Sequence, residues 1–194
     1  MNAASLDNSG TLTAAGTPPK GVLGKVVSIM ADRVNNQGGS IEAIEDLTLT
    51  TKELDNTGGT VASQGNARIV ADMLKNTQGT LQAGKSLTVI AQALQGLGVL
   101  QSAGDLSFTY AGPLNQEGDI SSGRDLNLSV GGAMDNRAKI SAGRDLSISA
   151  DSLNNQASGQ LLAGGQNRIT VTQGLTNAGL IDGGSTRITA GRVD

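Results

Sequence analysis

The sequence predicts an all-β fold, a parallel β-solenoid of about nine coils of about 20 residues, on three observations. Apolar-and-turn units recur at a nearly constant interval. The pieces between Gly and Asn corners are two to five residues long, too short for helices. Where apolar residues cluster they alternate with polar ones, the period of a strand with one buried face. The chain is 194 residues, within the size of one domain.

The repeat is legible column by column. An apolar anchor followed by a short Asn/Gly turn stands at Leu6, Val34, Leu54, Leu74, Leu94, Leu114, Met134, Leu153, Leu175 and Val193. The intervals are 28, then 20 five times, then 19, 22 and 18 residues. A second apolar column follows at Leu12, Ile41, Val61, Leu81, Leu100, Ile120, Ile140, Leu161 and Ile181. Next comes a glycine corner at Gly65, Gly84, Gly104, Gly123, Gly143, Gly164 and Gly183. After it stand the pairs Leu47/Leu49, Leu87/Val89, Leu106/Phe108, Leu126/Leu128, Leu146/Ile148 and Ile169/Val171. One such coil buries too little to hold itself together, so successive coils must stack and pair edge to edge. Nine coils at about 4.8 Å each give a rod about 43 Å long.

Composition agrees and narrows the function. Glycine, at 28 residues, is about twice its usual share. There is one Phe, one Tyr and no Trp, so the interior is a narrow stack of aliphatics. Without His or Cys there is no imidazole base, thiolate nucleophile, zinc or haem site. A net charge of −3 argues against nucleic acid as a partner. No apolar run approaches the length that crosses a bilayer, so no membrane insertion is expected. The N-terminus has neither the basic nor the apolar region of a signal peptide.

The long first interval marks an insertion. Residues 25–34 align with residues 85–94, which places eight extra residues at 16–23, Gly-Thr-Pro-Pro-Lys-Gly-Val-Leu. Two prolines remove two ladder donors, so this segment is expected to leave the sheet as a protruding loop. It reads either as a tolerated bulge or as a small contact surface.

Two polar columns are the candidate sites. Asn8, Asn36, Asn56, Asn76, Asn136, Asn155 and Asn177 stand two residues after successive anchors, with Gly96 and Gln116 interrupting. Asn tolerates a left-handed corner, and its amide can bond the same amide one coil away, so this column reads as a structural ladder. Asp46, Asn66, Ser86, Asp105, Asp125 and Asp145 form the second column, preceded in places by Lys85, Arg124 and Arg144. The Gly-Gly-x-Gly-x-Asp pattern of calcium-binding nonapeptide repeats is absent, so no metal is expected there. Glu42, Glu45, Asp46 and Glu53 are the densest acidic cluster and the one place for a pair of catalytic carboxylates. Such clusters are usually solvated faces, and sugar clefts usually need aromatic platforms. No catalytic residue, metal or cofactor is therefore assigned.

Units such as Leu54-Asp-Asn-Thr-Gly-Gly-Thr-Val-Ala-Ser, Ser141-Ala-Gly-Arg-Asp-Leu-Ser-Ile-Ser-Ala and Leu153-Asn-Asn-Gln resemble the haemagglutinin repeats of the filamentous haemagglutinin family. These are large exoproteins of Gram-negative two-partner secretion systems, including contact-dependent growth inhibition effectors and adhesins. The resemblance implies a right-handed parallel β-helix and export through an outer-membrane transporter. It further implies display as a fibre on the cell surface, with a host or bacterial cell-surface receptor as a further partner. No catalytic residues of the family carry over.

The chain opens just before one anchor and stops at Val193-Asp194, where the next unit would begin. The expectation is a single solenoid segment, residues 1–194, of a longer rod with parent repeats on both sides. Three functions are weighed: a structural stalk projecting a distal domain, a carbohydrate-binding or carbohydrate-active β-helix, and an ice- or mineral-binding face. The last is disfavoured because the Thr pairs Thr48/Thr50 and Thr170/Thr172 do not recur in every coil.

The period itself is testable. Deleting residues 74–93 joins Met73 to Leu94 and replaces an anchor by an anchor, so the product should express, stay β-rich and melt cooperatively. Deleting residues 74–83 removes half a unit and should give an aggregating or protease-sensitive product. Like behaviour of the two deletions would contradict stacked coils.

Overall fold

The computed structural model describes residues 1–11 and 21–194. Among these residues there is no helix, and every paired strand is parallel to its neighbour. The strands stack as a β-solenoid of about nine turns. The stacking follows from the repeat: each residue pairs with its equivalent about twenty positions on, so like sits on like.

Three apolar columns from three faces meet inside. The first runs Ile29, Leu49, Ile69, Val89, Phe108, Leu128, Ile148, Ile169, Ile188. The second runs Val22, Ile41, Val61, Leu81, Leu100, Ile120, Ile140, Leu161, Ile181. The anchors form the third, from Leu6 to Leu94 and again from Leu114 to Val193. Within the stack these side chains are almost all solvent-free. A buried aliphatic of this size contributes about 2 kcal/mol. Phe108 and Tyr110, alternate residues of one strand, are the chain's two aromatic rings and both lie inside.

The structure corrects three details of the sequence reading. Val22, not Leu12, pairs with Ile41, and Val22–Gly24 is a strand of the sheet. The insertion therefore does not extend through Leu23; Leu12 and residues 16–20 lie outside the described residues. Near the other end, Ile169 and Val171 pair with Ile148 and Ala150, which sets Asn167 on Leu146. The shift belongs to Gly164 and Gly165, beside a register change between Ala163 and Gln166. Finally, the corner glycines fill two adjacent positions. Gly84, Gly123 and Gly143 donate to the carbonyls of Ser63, Ser102 and Ser122, whereas Gly65 donates to Glu45 one position further round.

Two coil shapes share the stack. Above the partial coil Asn2–Asp7, which does the same, the first four complete coils pass straight into the anchor, as in Val27–Asn35, Leu47–Asp55, Ala67–Ala83 and Leu87–Ser102. From the fifth level it bends first. Leu106–Tyr110 ends, and Leu114–Gln116 opens a separate five-stranded sheet with Ala133–Asn136, Ser152–Asn155, Gly174–Asn177 and Arg192–Val193. The cause is local. Asp-Arg, Lys-Glu and Asp-Met precede the early anchors, but Gly112-Pro113 and Gly132-Ala133 precede the first two later ones, where glycine and proline favour a break.

The Asn turn shows why glycine recurs there. Gly10, Gly38, Gly58 and Gln78, each two residues past the ladder Asn, have φ of 64, 52, 61 and 55°. The residue after it is glycine for a different reason. A Cβ on Gly59 would run into the Asn36 carbonyl of the coil below, and one on Gly79 into that of Asn56. Gly58→Ala should therefore cost about 1 kcal/mol, the strain of a left-handed Cβ. Gly59→Ala should cost at least about 3 kcal/mol, because backbone must move. Equal midpoint shifts in urea for the two variants would contradict this assignment.

Candidate functional site

The Asn column is a hydrogen-bonded ladder running up the inside of one corner. Asn8, Asn36 and Asn56 each donate Nδ2 to the Oδ1 of the next member, Asn36, Asn56 and Asn76, at 2.7 Å. Asn136 donates to Asn155 at 2.8 Å and Asn155 to Asn177 at 2.7 Å. The same Nδ2 atoms reach backbone carbonyls: Asn36 to Gly39 at 3.3 Å and Thr60 at 3.1 Å, and Asn56 to Gly59 at 3.2 Å and Thr80 at 3.3 Å. Asn36, Asn56, Asn76, Asn136 and Asn155 are fully buried. A buried amide is tolerated only when its donors and acceptor are used, and the coil repeat uses them. The left-handed residues of this turn are Gly38, Gly58 and Gln78, so the amide bonding, not a left-handed Asn, explains the column.

The ladder stops between Asn76 and Asn136. The register shifts at this level, so the buried Leu97, and not Gly96 as the spacing predicts, stands over Asn76 and offers it no amide. The longer Gln116 turns its Nε2 to the Gly118 carbonyl, leaving its buried Oε1 without a partner.

The Asp column works between coils. The Asp46 carboxylate accepts from the Asn66 backbone N–H at 2.8 Å, Asp105 from Asp125 at 3.3 Å, Asp125 from Asp145 at 3.4 Å and Asp145 from Gln166 at 2.7 Å. Cations complete it from one coil further on. Arg124 stands 3.5 Å from Asp105, and Arg144 grips Asp125 through Nε, at 2.6 Å, and Nη2. The hydrogen bond from Arg144 holds the Asp125 carboxyl below the usual carboxylate range. Among the described residues no three Asp or Glu side chains gather as a metal site.

Glu42, Glu45, Asp46 and Glu53 are not brought together as a pair facing one cleft. Glu45 pairs with Lys25 at 3.2 Å, Asp46 with Asn66, and Glu42 accepts from the Ser40 hydroxyl. Glu53 sits instead beside the anchor face, 3.1 Å from Arg33 and 2.8 Å from Lys75. The hydrogen bond from Lys75 lowers its pKa. Glu53 lines a shallow groove of about 530 Å³ with Asp7, Arg33, Asp55 and Lys75. Burial works to raise the Asp55 carboxyl, but hydrogen bonds from Gln37 and Thr57 outweigh it, and its pKa is lowered. Carboxylates held ionised by such partners are poor proton donors for general acid chemistry.

Asn167 was missed. It is fully buried in a column held below it by Val27, Ala67 and leucines; its Nδ2 bonds the Leu161 carbonyl at 3.1 Å, and its Oδ1 has no partner. The signal was an Asn one residue past a Gly-Gly-Gln corner, where an apolar residue is due.

The haemagglutinin repeat model matches residues 1–92, 82–138, 101–156 and 138–192, end to end along this stack. The chain belongs to the haemagglutinin repeat family. No curated protein and no solved structure matches it.

The ladder gives a pH signature when altered. Asn56→Ala should destabilise by about 3 kcal/mol at all pH values, since it orphans the Asn36 donor and the Asn76 acceptor. Asn56→Asp should be at least as damaging at neutral pH, because a carboxylate there is buried and cannot donate to Asn76. Burial raises its folded pKa above the unfolded value of about 3.9, so its penalty is full above the folded pKa. The penalty should shrink as pH falls through that value. Chemical denaturation at pH 7 and pH 4.5 measures this; a pH-independent gap between Asp and wild type would refute it.

Proposed function

We propose that this segment is a stalk of a large secreted fibre on the surface of a Gram-negative bacterium. In this reading an outer-membrane transporter of a two-partner system exports the parent exoprotein. The repeats hold a distal domain, an adhesive tip or a growth-inhibition toxin, away from the cell. Adhesive contacts along the rod with a host or bacterial receptor are part of the same proposal. The family match supports the coarser statement that the chain is a structural segment of a filamentous haemagglutinin-like fibre.

The observation that carries the reading is the equivalence of the rungs. Side chains that a catalyst would gather into one cleft are distributed here one per coil and partnered to the coil above or below, as in Asp105, Asp125 and Asp145. A stack of this kind supplies length and stiffness. We propose accordingly that the segment is not an enzyme.

Deleting four complete coils from the parent exoprotein should leave it exported and displayed. The fibre seen by cryo-electron microscopy should then shorten by about 19 Å. Unchanged fibre length would contradict a stalk. Hydrolysis of a polysaccharide by the purified segment would favour the carbohydrate-active alternative.

A further inference from the structure

We infer that the rod has a built-in joint between its fourth and fifth coils, a corner that opens locally while the other two faces remain paired. Three departures from the repeat converge there. A register shift at the left-handed Gly96 puts Leu97 in place of an amide over Asn76, Gln116 replaces Asn with a side chain one methylene longer, and Pro113 stands directly before the anchor Leu114.

The geometry around them is that of an unpaired seam. Leu94 pairs with Leu74 below it, and Leu114 pairs with Met134 above it, but no backbone hydrogen bond joins residues 94–96 to Leu114–Gln116. Across the same boundary the other two faces stay closed: Leu87 to Ala91 pair with Leu106 to Tyr110, and Leu100 to Ser102 pair with Ile120 to Ser122. A cavity of about 260 Å³ fills the gap, lined by Leu94, Gly96, Tyr110, Pro113 and Asn115. The orphaned Oε1 of Gln116 lies at the same corner.

The sequence accounts for the seam. Proline has no N–H to donate, and residue 113, two before Asn115, is one whose N–H would face the coil below, so Pro113 removes a donor from the seam. Leu97, which pairs with Asn76, carries no side-chain amide oxygen to accept from it. The corner at this level therefore lacks both the backbone and the amide ladder that fix its neighbours. A region with few backbone bonds and a void beside it opens at lower free energy than the rest of a fold. Two faces hinge while the third gapes.

Hydrogen exchange on the whole chain tests the opening. Gln116 uses its carbonyl on Arg137 of the coil above, so the amide of Asn115, alternating with it, faces the seam. It should exchange about 100-fold faster than the amide of Asp135, its equivalent one coil up, and with little dependence on denaturant. Protection of Asn115 equal to that of Asp135 overturns the joint.

Bending is measured separately by electron spin resonance, made clean by the absence of cysteine. Nitroxide pairs at Thr57→Cys/Ala157→Cys, on the gaping corner, and at Thr48→Cys/Ser147→Cys, on the continuous face, each span five rungs, about 24 Å. The first pair should give the broader distance distribution. Equal widths overturn the joint even where Asn115 exchanges fast.

Discussion

Parallel pairing of each coil with a near copy of itself is the constraint on which the rest of the structure depends. A rung spacing of about 4.8 Å ties the path of one coil to that of the next wherever their backbones pair. Along paired faces the backbone of each level therefore bends where the backbone below bends. This is why a Cβ is excluded at Gly59 and Gly79, where the carbonyls of Asn36 and Asn56 come close from one coil below. It is also why the interior sorts into columns, each inward residue lying on its equivalent.

Polar groups obey the same constraint. An isolated Asn in an apolar interior would be costly, but an Asn above and below it supplies both the acceptor and the donor it needs. The repeat turns a liability into a continuous ladder from Asn8 to Asn76. Outside, the charges do likewise, with Arg33 and Lys75 flanking Glu53 and Arg144 reaching back to Asp125. Exposed pairs of this kind contribute little to stability one by one. Their consequence is spatial: carboxylates committed to neighbouring coils are spread along the stack, one level at a time.

Equivalence also makes the exceptions informative. A single aberrant residue in a globular protein is hard to interpret, whereas in a stack it stands against its equivalents in every other coil. Gly96, Pro113 and Gln116 meet at one boundary, and there the anchor face changes from a through-running strand to a bent corner with its own sheet. The two coil shapes cannot pair their anchor strands across that boundary, although both pair on the remaining faces.

The architecture was readable because a solenoid writes its period directly into the chain. Anchors at Val34, Leu54 and Leu74, twenty residues apart, specify parallel stacking and which side of each strand faces inward. The Asn column was legible for the same reason. What the sequence could not decide was register wherever the interval departed from twenty. Val22 is the residue that pairs with Ile41, and Asn167, and not Ile169, lies on Leu146. An insertion or a Gly-Gly corner lengthens one coil, and only the hydrogen bonds of the neighbouring coil determine which residues absorb the excess. The same holds for conformation within the Asn turn. The residues Asn-Thr-Gly-Gly announce a tight corner, but the carbonyls of the coil below make the second glycine obligatory and leave the left-handed position to the first.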